Sequence, residues 1–405
     1  MNIRIATDND YDQIRKIWTY CFNEGESVEN CYFENKYNPQ NTIVAELNSE
    51  VVSSIHLNQH RIKLGQNIEN VSYVVGVSTL PEARGKGMMK SMMNLAFEEM
   101  YKRNQNISIL MPIDFRLYRR FGFENCYDII EHRINISDLS NFKIERNFKK
   151  ARMQDIDILI DIYNKSNKRL NGYTIRGILR YENMFKEVDA DGGHIYISYD
   201  DNDEYDGYLI YSINEGKFFV REIYYTNTKA LKSILAFIYN HNTQCDKVVI
   251  MEDVRNNIGS LLKNPKTSES ILKPFMMGRV INMENCFKNA YKYFNSDYSY
   301  SEKEINDKNI IDEEIVISIK DEYIIQNNAN YKFKFKDNNY HLEKVLYNGN
   351  KSDLTLNINQ ISQIIFGYKD IEDILELYDK ELENNKLKIL NKLFIKKKNH
   401  INEYD

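Results

Sequence analysis

V-V-G-V-S-T-L-P-E-A-R-G-K-G-M-M-K, from Val74 to Lys90, is an apolar run that feeds a glycine loop. The loop, Arg84-Gly85-Lys86-Gly87, opens a helical pattern. A second stretch, I-S-I-L-M-P-I-D-F-R-L-Y-R-R-F-G-F, follows from Ile107 to Phe123. A helix start carries unpaired N–H groups and the positive end of the helix dipole, and both attract phosphate. Strand, glycine loop and helix in that order predict a grip on a pyrophosphate. Tyr118, in the second stretch, stands where an acid could serve such a loop.

Outward from this stretch, the pattern mixes strands and helices. Asp8 and Asp10 precede a helix over Tyr11 to Cys21, with Ile14, Ile17 and Trp18 on one face. Strands are expected at Asn41–Ala45, Val51–Asn58, Arg61–Leu64 and Val71–Thr79. A helix runs over Gly87–Arg103, then a buried strand Ile107–Met111, a short helix Phe115–Phe121 and a strand Phe123–Ile134. This predicts an α/β (α+β) layering, a mixed central sheet with helices on both faces.

The order repeats further on. Phe218–Tyr225 reads as strand, Thr228–Asn240 as helix and Lys247–Met251 as strand, joined through T-N-T-K-A instead of a glycine loop. Shared order suggests a duplicated fold. Without the glycines the backbone cannot approach a pyrophosphate closely, so the second copy is expected to be inert as a cofactor site. The last part alternates short strands, including Tyr323–Gln326, with polar turns and ends in helices, an α+β layer. The expected domains are 1–147, 148–286 and 287–405.

Composition narrows the class. The 405 residues are 42% hydrophobic and carry a net charge of −5, which suits a soluble globular protein with a full core and disfavours a nucleic-acid partner. No apolar run reaches bilayer length, so no membrane partner is expected. Five cysteines without C-x-x-C and seven histidines without H-E-x-x-H give no expected metal site and suggest reduced thiols in the cytoplasm.

With Arg84 and Gly87 in an R-x-x-G loop, and Y-R-R-F-G-F after the next strand, the chain resembles the GNAT (Gcn5-related N-acetyltransferase) superfamily. Met89 stands where that superfamily's motif usually has a small residue. Together with a degenerate second copy and a C-terminal sheet, this departure resembles the Eis (enhanced intracellular survival) branch. That resemblance implies tandem GNAT-like domains, a C-terminal domain similar to sterol carrier protein 2, and a homo-oligomer, a hexamer.

The resemblance also implies roles. Val77, Ser78 and Thr79 would pair with the pantetheine of acetyl-CoA, and Arg84, Gly85, Lys86, Gly87, Met88, Met89 and Lys90 would hold its pyrophosphate. Ile113 and Asp114 would flank the cofactor. Tyr118 would protonate the departing thiolate, and the α-carboxylate of Asp405 would be the base. The residues allow plainer readings too: Val77 as core, Asp114 as a helix cap, Lys86 in solvent. The implied activity is acetyl transfer to a primary amine, on an aminoglycoside, a polyamine-like compound or a lysine side chain. A non-catalytic acyl-CoA sensor or lipid-binding protein is the alternative.

Overall fold

The computed structural model describes residues 1–294, 313–336, 339–346 and 352–404. They fall into two compact units: Met1–Ile17, Asn38–Tyr127 and Met276–Lys397 in the first, and Trp18–Tyr37, Asp128–Phe275 and Lys398–Asp405 in the second. The C-terminal sheet region thus folds with the N-terminal part of the chain.

In the first unit, β1 (Asn2–Ile5), β2 (Thr42–Leu47), β3 (Glu50–Leu64), β4 (Asn67–Thr79) and β5 (Ile107–Leu110) lie side by side in that order. Residues Met277–Val280 pair antiparallel with β5 on its far side. Two separate strands were expected within 51–64, but β3 is continuous, because its pairing with β4 runs from Ser53–Thr79 to Leu64–Asn67. The helix Met88–Lys102 covers this sheet. Met88, Met92, Ala96 and Met100 recur every fourth residue and pack on Ile43, Ala45, Ile55, Leu57, Val74 and Leu110.

The C-terminal sheet places strands Asn339–Val345, Ala329–Lys336, Glu313–Lys320 and Leu354–Asn357 in that spatial order. Tyr323–Gln326, expected as a strand, is instead a turn leading into a short 3-10 segment. The reason is Asp321, whose Oδ1 accepts from the backbone N–H groups of Tyr323 (3.0 Å) and Ile324 (3.1 Å) and so curls the chain.

The second unit repeats the mixed layering. Strands Lys217–Tyr225 and Lys247–Glu252 pair in parallel, and Ile130–Asn135 adds antiparallel to the latter. Helix Thr228–Tyr239 packs in one cluster, while helices Ile156–Asn167 and Ile178–Ala190 pack in another. The segment 398–404 is drawn into this unit by a buried charge network. Arg176, fully buried, takes both carboxylate oxygens of Glu222 (2.8 and 2.9 Å) and one of Glu403 (2.8 Å). Glu403 also accepts from Arg180 (2.8 Å). Among the described residues no helix is long and apolar enough to cross a membrane.

One buried cation ties the first unit together. Arg279 has no exposed surface. It donates to the carbonyls of Phe121 (2.6 Å) and Val280 (2.7 Å) and to both oxygens of Asp321 (2.8 and 3.0 Å), and its guanidinium lies over the Phe97 ring. Desolvation pulls Arg279 below the usual arginine value, and Asp321 opposes it. Removing one member of a buried pair strands the other charge, which costs about 3–5 kcal/mol. Arg279→Met is therefore expected to lower the unfolding free energy by about that amount in urea titration. A loss below about 1 kcal/mol would contradict the role given to this pair.

Candidate active site

β4 and β5 part company at the site. They pair in parallel only from Ser72–Ser108 to Val74–Leu110. β4 then runs on to Thr79, while the chain after β5 turns through Met111–Asp114 into the short helix Phe115–Arg119. The β4 edge beyond Val74 is left without β5, and such an edge offers backbone donors and acceptors to an extended ligand. A bulge in the β3–β4 register around Gly76 and Val77, where Gly76 has φ +58°, re-aims this edge.

The hydroxyls of β4 here are engaged with β3. Ser78 Oγ meets Ser54 Oγ at 3.0 Å, and Thr79 Oγ1 meets Ser53 Oγ at 2.7 Å. The Ser78 carbonyl is engaged as well, accepting from Ser53 Oγ at 2.5 Å. Val77 is partly buried and packs on the cluster that contains Met88, Met92 and Tyr118.

The loop after β4 is open. Arg84, Gly85, Lys86 and Gly87 are exposed, and Arg84 Nε holds the Thr79 carbonyl at 3.1 Å. Gly87 stands at the N-cap of helix Met88–Lys102 with φ +76°, a conformation that disfavours any side chain, and supplies no side-chain cap. A Cβ built on it would meet nothing within 4 Å, so space is not what demands glycine there. The first N–H groups of the helix are left available, with the exposed cations Arg84, Lys86 and Lys90 nearby in sequence. The second copy differs at this point. Asn227 caps helix Thr228–Tyr239 by accepting from the Ala230 N–H at 2.9 Å.

Tyr118 is 6% exposed, within the core cluster. Burial pushes its hydroxyl up to about 12, so it stays protonated at neutral pH. Among the described residues its hydroxyl has no hydrogen-bond partner. Met89 is partly buried against the same cluster, with its sulfur 3.4 Å from Arg120. Asp114 caps the short helix, accepting from the Arg116 N–H at 2.9 Å, and Arg116 holds its carboxyl below the usual range. Ile113 is 81% exposed. The structure thus gathers Val77, Met88, Met89 and Tyr118 in one cluster, with Arg84–Gly87 at the mouth of the helix. Asp405 lies outside the described residues.

Sequence reading missed what holds Tyr118 in place. Asn359 Nδ2 donates to the carbonyls of Arg119 and Phe123, both at 2.9 Å. Gln363 Nε2 donates to the Asn125 carbonyl at 3.0 Å. Arg279 holds the carbonyl of Phe121 between them. Gly122, at φ +86°, lets this turn close: a Cβ there would sit 2.6 Å from Ile358 and 2.9 Å from Arg279 Nε. The Asn357-x-x-Gln360 capping box could have flagged a well-anchored helix, but not what it grips.

Comparison with known proteins fits this geometry. An acetyltransferase (GNAT) domain model matches residues 2–126, a second acetyltransferase (GNAT) domain model matches 172–280, and a sterol carrier protein domain model matches 292–402. A solved structure from Enterococcus faecalis V583, a conserved protein described as a probable N-acyltransferase, has TM-score 0.83 at 17% identity, covering 100% of this chain and 99% of that one. A GCN5-related N-acetyltransferase from Anabaena variabilis has TM-score 0.82 at 18% identity, with both chains fully covered (100% and 100%). Eis1 from Mycobacterium abscessus has TM-score 0.74 at 12% identity, again covering 100% of each chain. At these identities the likeness carries the fold. No curated protein matches the chain by sequence.

Tandem GNAT domains followed by a sterol carrier protein domain, in a mixed α/β fold, define the architecture. The protein is an enzyme, an N-acetyltransferase.

Asn359→Ala frees two carbonyls that frame Tyr118. We expect kcat to fall roughly tenfold or more, because small misplacements of a reacting group are costly, with KM for the acetyl donor little changed. Steady-state kinetics check this. An unchanged kcat would show that the contact does not position Tyr118.

Proposed function

We propose that the chain is an Eis-like enzyme that moves the acetyl group of acetyl-CoA directly to a primary amine. The observation that carries this reading is the parting of β4 and β5 beside an uncapped helix start, with a buried, protonated tyrosine in the same cluster. In this reading pantetheine lies along the free edge of Val75–Thr79. Ser78 and Thr79 lie along it, their hydroxyls engaged with β3.

The pyrophosphate meets the N–H groups at the start of Met88–Lys102, with Arg84, Lys86 and Lys90 supplying charge. Ile113 and Asp114 border the cofactor. An N–H near Val77 takes the carbonyl oxygen as it becomes an oxyanion. The amine attacks the thioester carbon, the C–S bond breaks, and Tyr118 gives its proton to the thiolate.

A base must free the attacking amine. His56 is unsuited: it is fully buried, and desolvation pushes it down to about 3, too weakly basic for an ammonium. We assign the base to the α-carboxylate of Asp405 on the Eis resemblance. Deleting Asp405 is expected to lower kcat, and full turnover without it would remove that assignment. The same resemblance supports a hexamer, which sedimentation would read. The acceptor class is an aminoglycoside, a polyamine-like amine or a lysine side chain. Screening these with acetyl-CoA while following free thiol decides among them, and no thiol with any of them would refute the reading.

Tyr118→Phe keeps the ring packing and removes only the proton. We expect kcat to fall by about 10²–10⁴ with KM little changed. Because the folded value is raised above the usual 10.0, to about 12, the hydroxyl keeps its proton as pH rises to 10. The gap between native enzyme and variant is therefore expected to persist from pH 7 to 10. A gap that closes near neutral pH would contradict the assignment.

A further inference from the structure

The second unit holds a serine, a histidine and a carboxylate in hydrogen-bonded series. Ser270 lies on the strand Glu269–Val280, His132 on Glu124–Asn135 and Glu252 on Lys247–Glu252. His132 Nδ1 is 2.9 Å from Ser270 Oγ, and His132 Nε2 is 2.7 Å from Glu252 Oε2. His132 is fully buried and Glu252 is 2% exposed, while Ser270 is open to solvent.

Direction follows from the partners. Glu252 also accepts from the backbone N–H groups of Asn257 (2.9 Å) and Ile258 (3.2 Å). A carboxylate only accepts, so the proton on Nε2 points to Glu252. In the neutral imidazole that leaves the lone pair of Nδ1 aimed at Ser270, whose hydroxyl then donates to it. A solvent-exposed hydroxyl, a neutral imidazole that can take its proton, and a carboxylate that orients the imidazole are the parts of an activated serine.

We propose that Ser270 is a nucleophile, with His132 as its base and Glu252 orienting that base, and that it accepts acyl groups from small activated esters. Ser270 Oγ forms a bond to the acyl carbon while its proton passes to His132 Nδ1. The bond to the leaving alcohol breaks, and His132 returns the proton to the leaving oxygen. Water then attacks the acyl-serine by the same route, releasing the acid and restoring the hydroxyl. This chemistry is independent of acetyl transfer to amines and of the residues assigned to it.

A fluorophosphonate probe on the full-length protein, mapped by mass spectrometry, tests the nucleophile. Ser268 is an internal reference, because its hydroxyl donates to the Pro265 carbonyl (3.1 Å) instead of to a base. We expect Ser270 to be labelled about a hundredfold faster than Ser268. His132→Gln is expected to bring the two rates together. If that variant does not fold, the ratio in the native protein decides alone. A native ratio near one, or fast labelling that survives in folded His132→Gln, would overturn the proposal. With p-nitrophenyl acetate, the native protein is expected to give a stoichiometric burst of p-nitrophenol that Ser270→Ala lacks. A burst that persists in Ser270→Ala would also overturn it.

Discussion

The first unit depends on a cation with nowhere else to go. Arg279 has no exposed surface, and each of its contacts offsets part of the cost of putting it there. Asp321 supplies the counter-charge, while the Phe121 and Val280 carbonyls take the remaining directions. Asp321 is in turn fixed by the N–H groups of Tyr323 and Ile324 and by Asn327 Nδ2 at 2.9 Å. Three distant segments are thereby held to one point: the turn after Tyr118, the strand through Val280 and the first turn of the C-terminal sheet. Asn359 and Gln363 extend the same grip along residues 119–125. Arg279, Asp321, Asn359 and Gln363 supply no reactive group to the proposed chemistry, yet they frame the residue assigned as acid.

The glycine loop shows the opposite principle, a site defined by what the protein withholds. In both copies a strand runs past the point where its parallel partner stops, and a helix starts soon after. In the first copy Gly87 leaves the helix start uncapped. In the second, Asn227 already occupies the equivalent donor, and its amide is itself held by Asp206 at 2.9 Å. A phosphate would have to displace that cap. One residue type at the N-cap separates a helix start suited to an anion from one that is already satisfied.

Much of this was legible in the sequence, for identifiable reasons. The apolar run at Val74, the glycines at 85 and 87 and the helical spacing of Met88, Met92, Ala96 and Met100 are local signals, and local signals survive in a string of letters. The duplicated order was legible for the same reason. The continuous strand Glu50–Leu64 was read as two, because polar residues at Asn58, Gln59 and His60 interrupt its apolar pattern. The pairing with β4 overrode that interruption. Tyr323–Gln326 had strand-like composition but no free backbone, since Asp321 had taken it. The partners of Tyr118's turn and of Glu403 lie hundreds of positions away, and no spacing rule reaches across such separations. Helix Glu26–Asn35 carries too weak an apolar stripe to stand out in the sequence.

One helix start in the chain, and not its duplicate, is proposed to receive the pyrophosphate. Isothermal titration with coenzyme A measures this directly. We expect one coenzyme A per chain, with binding strongly weakened by Gly87→Val and left intact by Asn227→Ala. Two coenzyme A molecules per chain, or one whose affinity is indifferent to residue 87, would contradict it.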